Sequence, residues 1–217
     1  MPEIQDAAGL FRDDLGCARC AWCAATPLYR HYHDEEWGYP VADERRLFEK
    51  LCLEGFQAGL SWLTILNKRE AFRAAMANFE AEELAHFGAA EVRQILANAA
   101  IVRHRGKIES AIHNARQVLL LRAEFGSFAA YVWRHAEQAA QARPERITAA
   151  LLRTMTTSPA SQALSRDLKK RGFTFVGPTT MYAFMQAMGL VNDHVEGCAA
   201  RARADAARAA FVLPQSG

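Results

Sequence analysis

No stretch of this 217-residue chain is apolar over the roughly 20 residues that a bilayer-spanning helix requires, so no membrane partner is expected. The first residues, MPEIQDAAGLFRDD, lack the basic character of a secretory signal, which points to a cytoplasmic protein. Proline is absent between Pro40 and Pro144, and nowhere does apolar character alternate with a period of two over the length of a strand. Those two absences leave consecutive helices, and an all-α protein is expected. A surplus of charge is missing too. The formal net charge is only +2, so any contact with nucleic acid has to come from local clusters of basic residues. The five cysteines are an odd number in what reads as a reducing compartment, which favours metal binding or simple burial over a disulfide framework.

What is present is an ordinary globular composition, 51% hydrophobic and 23% charged, in a chain long enough for one substantial domain or two small ones sharing a cleft. The proline-free segment is rich in Ala, Leu, Glu, Gln and Arg, and its spacing predicts helices over 43–54, 61–76, 81–86, 89–98, 105–124 and 127–137. Ile108, Ala111, Ile112, Ala115, Val118 and Leu119 mark one face of the fifth. Residues 1–18 have no clear apolar period and read as an extension without visible chemistry. Residues 143–161, with Pro144, Pro159 and a Thr/Ser cluster, read as a connection between two helical groups. A hairpin over about 164–189 follows: a helix to Lys170, a link bounded by Gly172 and Gly177, and a second helix opening at Pro178. Lys169, Lys170 and Arg171 precede the link, where backbone N–H groups and a helix N-terminus can meet a phosphate; an ordinary helical hairpin with a solvated basic end is the other reading. The Ala/Arg-biased tail, 199–217, leaves a helix, a frayed end or a nonspecific basic contact open.

Residues 20–62 hold the chemistry. They contain Trp22, Trp37 and Trp62 of the four tryptophans and Tyr29, Tyr32 and Tyr39 of the five tyrosines, a density that rings without a function would not need. Leu47, Phe48, Leu51 and Cys52 repeat at helical spacing, and Glu54 falls on the edge of that stripe. A carboxylate there either pairs with a buried donor for structural reasons or awaits a ligand that brings donors or positive charge. Rings that can sandwich a flat group, beside an acceptor that can read its edge, make a nucleobase pocket.

Near the other end, His194 and Cys198 stand four apart, on one face if that segment is helical, which suits two ligands of a tetrahedral zinc. Cys20 and His33 can complete the set, tying the two ends of the chain together. Four protein ligands leave no place for a catalytic water, so such a zinc would be structural. Two packed cysteines and two hydrogen-bonded histidines remain the alternative. Cys17, Cys20 and Cys23 form part of an iron–sulfur pattern, but Pro27 stands where its last cysteine belongs.

The pieces CAWC, PLYRHYHDEEWG, LFEKLCLEGFQAGLSWLTILNKRE, IVRHRGKIESAIHNA and TSPASQALSRDLKKRGFTFVGPTTMYAFMQAMGLVNDHVEGC, in this order, closely resemble the DNA-3-methyladenine glycosylase I family, bacterial alkylation-repair enzymes. The resemblance runs from Arg19 to Cys198, which marks 19–198 as the glycosylase domain and leaves 1–18 and 199–217, with Cys17, without an inherited role. It implies a helix-hairpin-helix glycosylase fold with two helical subdomains flanking a base pocket. The resemblance also implies one structural zinc per monomer on Cys20, His33, His194 and Cys198, and a pocket of Glu54, Trp22, Tyr29, Tyr32 and Trp62. In the wider superfamily an aspartate in a V-D-x-H context assists loss of the base; here the run is Val191-Asn192-Asp193-His194, with an amide in that place. No lysine matches the nucleophile of bifunctional members, so strand cleavage is not expected. The expected substrate is double-stranded DNA bearing alkylated bases, the product free 3-methyladenine and the enzyme a monomer. Glu54 would act on the base, Lys169, Lys170, Arg171, Gly172 and Gly177 would hold phosphate, and Gln57 or Leu60 would fill the gap left in the duplex. A zinc-stapled DNA-binding module without activity is the alternative; it would have no need of Glu54 among rings.

Overall fold

The computed structural model describes residues 8–141 and 143–215. In chain order, a hairpin of β1 (Leu10–Arg12) and β2 (Ala18–Cys20) leads through a 3-10 turn to α1 (Pro27–Glu35), α2 (Glu44–Gln57), α3 (Trp62–Asn67), α4 (Arg69–Ala75), α5 (Ala81–Leu84) and α6 (Ala89–Ala97). Then follow α7 (Arg105–Phe125), α8 (Phe128–Trp133), α9 (Ala136–Gln141), α10 (Ala149–Thr154), α11 (Pro159–Lys170), α12 (Pro178–Ala187) and α13 (Ala199–Ala209). Side chains that accept from the first-turn amides open many of them: Thr26 for α1, Asp43 for α2, Ser61 for α3, Ser127 for α8 and Ser158 for α11. Among the described residues no helix is long and apolar enough to cross a membrane.

Helix α2 is the axis. Its residues from Leu47 to Phe56 are buried without a break, because α3, α7, α8 and α12 pack around it. Phe48, Phe56, Phe72, Phe79 and Phe128 fill the space between these helices. The helices α11 and α12 form a hairpin that lies against α2, where Phe175 approaches Gly55 so closely that an added Cβ would stand 3.2 Å from its own. At the end of α12 the chain passes Tyr39 and Pro40 at Gly189 (φ +74°); a Cβ there would meet the Tyr39 carbonyl carbon at 2.3 Å, so only glycine fits.

The structure departs from the all-α expectation in one place. Leu10 pairs with Cys20 and Arg12 with Ala18 in a two-stranded antiparallel ribbon, too short for an alternating pattern to register. Residues 8–18, read as an extension, are thus anchored, with Leu10 and Phe11 buried; residues 1–7 lie outside the described residues. The predicted helix 61–76 breaks at Lys68 into α3 and α4, and 127–137 divides into α8 and α9. Pro159, read as part of a connection, is the first residue of α11: proline needs no partner for a missing N–H there. Residues 199–209 of the tail form the ordered helix α13, with Ala200 and Ala204 buried.

Candidate active site and metal centre

Glu54 sits on the last full turn of α2, 5% exposed. One turn earlier on the same face is Lys50, whose Nζ lies 3.0 Å from Glu54 Oε1. The same ammonium donates to the Tyr32 hydroxyl at 2.5 Å and stands 3.2 Å from the centroid of the Trp62 ring. Tyr32, on α1, and Trp62, at the start of α3, face each other with ring centroids 5.4 Å apart. Three of the five residues expected to form the pocket therefore converge on one point, and a lysine occupies it. Burial raises the pKa of Glu54 against the pull of Lys50, and burial lowers that of Lys50 to about 8 against the pull of Glu54. The Tyr32 phenol is pushed far up, by burial first and then by the Glu54 charge. Tyr29 and Trp22 stand behind Tyr32: Trp22 is 4.9 Å from Tyr29 and 6.4 Å from Tyr32 between ring centroids. Burial, then Cys23, then Glu54 raise the Tyr29 pKa to about 12.

The turn after α2 is pinned. Lys107, from α7, donates to the carbonyls of Phe56 at 2.9 Å and Ala58 at 2.5 Å, so orphan acceptors at the helix end are satisfied by a buried ammonium. Leu60 projects from this held turn, 41% exposed, and Gln57 is half-buried beside it.

Cys20, His33, His194 and Cys198 come together, all buried, with their ligand atoms within 4.8 Å of one another. Cys198 Sγ is 3.5 Å from His33 Nε2 and 3.6 Å from His194 Nδ1, and Cys20 Sγ is 3.9 Å from His194 Nδ1. The outer nitrogen of each imidazole already has an acceptor: His33 Nδ1 faces Asp34 at 2.7 Å and His194 Nε2 faces the Trp37 carbonyl at 2.9 Å. Those partners assign the protons to the outer nitrogens, which leaves two imidazole lone pairs facing each other at 3.1 Å. A cation between them relieves that repulsion. Cys20 chiefly, then His194 and His33, draw the Cys198 thiol down, while Cys198 and burial push Cys20 up.

Support for this cluster comes from residues around the four ligand candidates, some of them outside the motif pieces. Arg19 bridges Asp13, at 2.5 Å, to Asp34, at 2.8 Å, and so steadies the carboxylate behind His33. Arg201, on α13, donates to the His194 carbonyl at 2.5 Å, and a Cβ at Gly38 would come within 3.0 Å of His194 Nε2. Asn192 accepts from the His194 amide and donates to Asp205 at 2.7 Å, so it shapes the turn that carries His194. Its neighbour Asp193 is fully buried in an ion pair with Arg143 and accepts from Tyr182 and Gln186. Neither residue is free to reach a sugar. Cys17 is half-buried and Cys23 donates to the Cys20 carbonyl; neither joins the cluster.

On the α11–α12 hairpin, Lys169 and Lys170 are exposed, whereas Arg171 forks onto Glu124, at 2.5 and 3.0 Å, and also reaches Asp167. The link from Gly172 to Gly177 is held from inside by Asn114, which accepts from the Thr174 amide and donates to its carbonyl, both at 3.0 Å. Sequence reasoning missed Lys50, Lys107 and Asn114. Lys50 had a signal, its i,i+4 relation to Glu54; the other two act across helices and had none.

A helical protein with a carboxylate and aromatic rings around one buried point, beside a Cys/His cluster, is the class these features define. The family model of methyladenine glycosylases matches residues 22–202. The DNA-3-methyladenine glycosylase 1 of Escherichia coli (strain K12) is 48% identical over 183 residues, covering 83% of this chain and 95% of that protein. The DNA-3-methyladenine glycosylase of Haemophilus influenzae is 42% identical over 181 residues, covering 83% and 96%. A crystal structure of 3-methyladenine DNA glycosylase I superposes with a TM-score of 0.77 at 48% identity, covering 83% of this chain and 98% of that one. A Staphylococcus aureus structure that concerns the recognition of 3-methyladenine matches with a TM-score of 0.77 at 35% identity, covering 84% and 96%. The chain belongs to the methyladenine glycosylase family.

Proposed function

We propose that this protein excises 3-methyladenine from alkylated double-stranded DNA by hydrolysing its N-glycosidic bond, without cutting the strand. Membership of the family carries the activity, and the convergence of Tyr32, Glu54 and Trp62 on one buried point carries the location. Alkylation at the adenine 3-position makes the base of the nucleotide cationic. Such a base leaves the sugar readily, so little acid catalysis is needed and no aspartate need assist. The protein has to extrude the nucleotide, hold the base and let water meet an oxocarbenium-like sugar. Glu54 accepts from the exocyclic amine edge and complements the charge, Trp62 offers a ring face, Tyr32 supplies a second polar contact, and Trp22 and Tyr29 close the back. A guanine derivative presents a carbonyl to the carboxylate and is rejected.

The hairpin end, with Lys169, Lys170, Gly172 and Gly177, grips phosphate, and Arg171 shapes that end through Glu124. Leu60, apolar, exposed and on a turn clamped by Lys107, fills the gap in the duplex, with Gln57 beside it. Cys20, His33, His194 and Cys198 fit one structural zinc: two sulfurs and two nitrogens, the nitrogens 3.1 Å apart and all four within 4.8 Å of one another, suit bonds of about 2.0–2.3 Å to a shared ion. Zinc there supplies no chemistry to the reaction.

The test is incubation with methylated duplex DNA followed by chromatography of the released bases. Release of 3-methyladenine, with strand breaks appearing only after alkali, is expected. Tight duplex binding with no released base would establish the DNA-binding module instead.

A further inference from the structure

The point on which Tyr32, Glu54 and Trp62 converge is the point where a cationic base would lie, and Lys50 already occupies it. Its ammonium has a carboxylate at 3.0 Å, a phenol oxygen at 2.5 Å and an indole face at 3.2 Å. Those are the charge, the hydrogen-bond partner and the π surface assigned above to the flipped nucleotide. The cavity left beside it, lined by Tyr32, Glu36, Lys50, Leu53, Trp62 and Met188, holds only about 30 Å³, the share of one water and far below a ligand pocket. Nothing can stack on that face of Trp62 while Nζ stays at 3.2 Å from its centre. The lysine lines the cavity, so its flexible stem can turn out into it, past a rim where Glu36 and Glu49 offset Arg46, Arg69 and Arg73.

We propose that Lys50 is an internal stand-in for the cationic base and sets the specificity of the pocket by being displaced only by another cation. This rests on the base pocket proposed above. Electrostatics governs the exchange. Glu54 is buried, and leaving it without a counter-charge is costly. A 3-methyladenine nucleotide replaces one positive charge with another, so Glu54 stays paired throughout. Neutral adenine would evict the ammonium and bring no charge, so undamaged bases are refused by the exchange itself and not only by shape. Burial has already weakened the hold on the ammonium, whose pKa falls to about 8. Cleavage reverses the exchange. When the glycosidic bond breaks, its electron pair stays with the base, which becomes neutral, and the positive charge passes to the sugar, where water adds and a proton is lost. Glu54 then faces a neutral product, and the return of Lys50 expels it.

Two measurements on the intact protein test this. The first is binding of the 3,9-dimethyladeninium cation, which keeps the charge that the free product base lacks, followed by tryptophan fluorescence, to the wild type, Lys50→Ala, Glu54→Gln and Trp62→Ala. Removal of the internal competitor should tighten binding by about tenfold or more, because the site no longer exists mostly in its occupied form. The second is reductive methylation of lysines in the wild type with formaldehyde and cyanoborohydride, mapped by peptide. Lys50 should be protected without ligand and in neutral adenine but labelled at saturating 3,9-dimethyladeninium, while Lys107, also buried, stays protected throughout; this decides the matter even if Lys50→Ala does not fold. If Glu54→Gln and Trp62→Ala lose the base while Lys50→Ala binds as the wild type does and Lys50 stays unlabelled, the stand-in role is overturned and the pocket survives. If Glu54→Gln and Trp62→Ala bind the base normally, the pocket and the stand-in fall together.

Discussion

Glu54 is where an enzyme and a binding module part company. Two explanations for a carboxylate on an apolar stripe were open in the sequence, and the pairing with Lys50 realises the structural one in the base-free protein. The base-reading role predicts more. Glu54→Gln is nearly isosteric, so the fold should persist and duplex affinity should hold through the phosphate contacts. Base release should fall about ten- to a hundredfold, the worth of a hydrogen bond to a charged group at about 1.5–3 kcal/mol. Melting and base release measured on one preparation separate this from mere loss of stability, in which activity would follow the folded fraction; a well-folded variant with full activity would remove Glu54 from the reaction. Acid should act earlier here than on an exposed carboxylate, because burial raises the Glu54 pKa above 4.5. The folded chain holds this proton more tightly than the unfolded chain does. Glu54's own contribution to stability is therefore greatest below pH 4.5 and is lost as pH rises through its folded pKa, while its capacity to read a cation appears over that same rise. Lys50 was harder to read. A lysine four residues before a glutamate on a helix ordinarily marks a solvated face, and only the rings of α1 and α3, brought in from elsewhere in the chain, turn it into an occupant of the site.

Among the elements, the helices with a clean apolar period were legible, and α7 begins and ends within a residue or so of its predicted bounds. Where the sequence misled, a local rule had two meanings. Pro159 signals a break in a chain read forwards and a helix start in a chain that has just turned; Ser158, which caps α11, decides for the latter. The β1–β2 ribbon, three residues a side, is below the length at which period two can be seen. Of the three basic residues just ahead of the link, Lys169 and Lys170 are exposed, whereas Arg171 is bound to Glu124 and Asp167. Replacing both lysines with Ala should weaken duplex binding regardless of sequence and flatten the log–log salt dependence by about two, roughly 0.9 for each phosphate that is no longer neutralised. Single-turnover base release at saturating protein should change little, because neither lysine lies near Glu54. Binding unaltered across a salt series would show that this end of the hairpin is only solvated.

At the scale of the molecule, the Cys/His cluster joins parts of the chain that are 174 positions apart, Cys20 and His194. It was legible at long range because His194 and Cys198 are four apart and the aromatic-rich stretch offers Cys20 and His33, the same four that the resemblance implies; the buttress from Asp13, Arg19 and Arg201 was not, since charged residues near chain ends look alike whether solvated or anchored. The cluster stands directly behind the point where Tyr32, Glu54 and Trp62 converge: Trp22 packs 5.1 Å from His33 and 6.4 Å from Tyr32, between ring centroids. An ion that holds the ends together therefore also holds α1, and with it Tyr32, against α2. One zinc per monomer is expected by elemental analysis. An ion that binds the folded chain and not the unfolded one stabilises it by mass action, about 4 kcal/mol at a thousandfold excess over its dissociation constant. For a chain of this size each kcal/mol moves Tm by about 2–4 °C, so stripping the metal with a strong chelator should lower Tm by about 10 °C. Limited proteolysis should then open residues near both ends at once, because β2, α1 and the 194–198 turn lose their common tie. Cys198→Ala should behave as the stripped protein does, and added zinc should rescue the wild type but not the variant. Metal well below one equivalent, or a Cys198→Ala protein with unchanged Tm and proteolytic pattern, would mean that packed thiols and imidazoles hold the ends together without an ion.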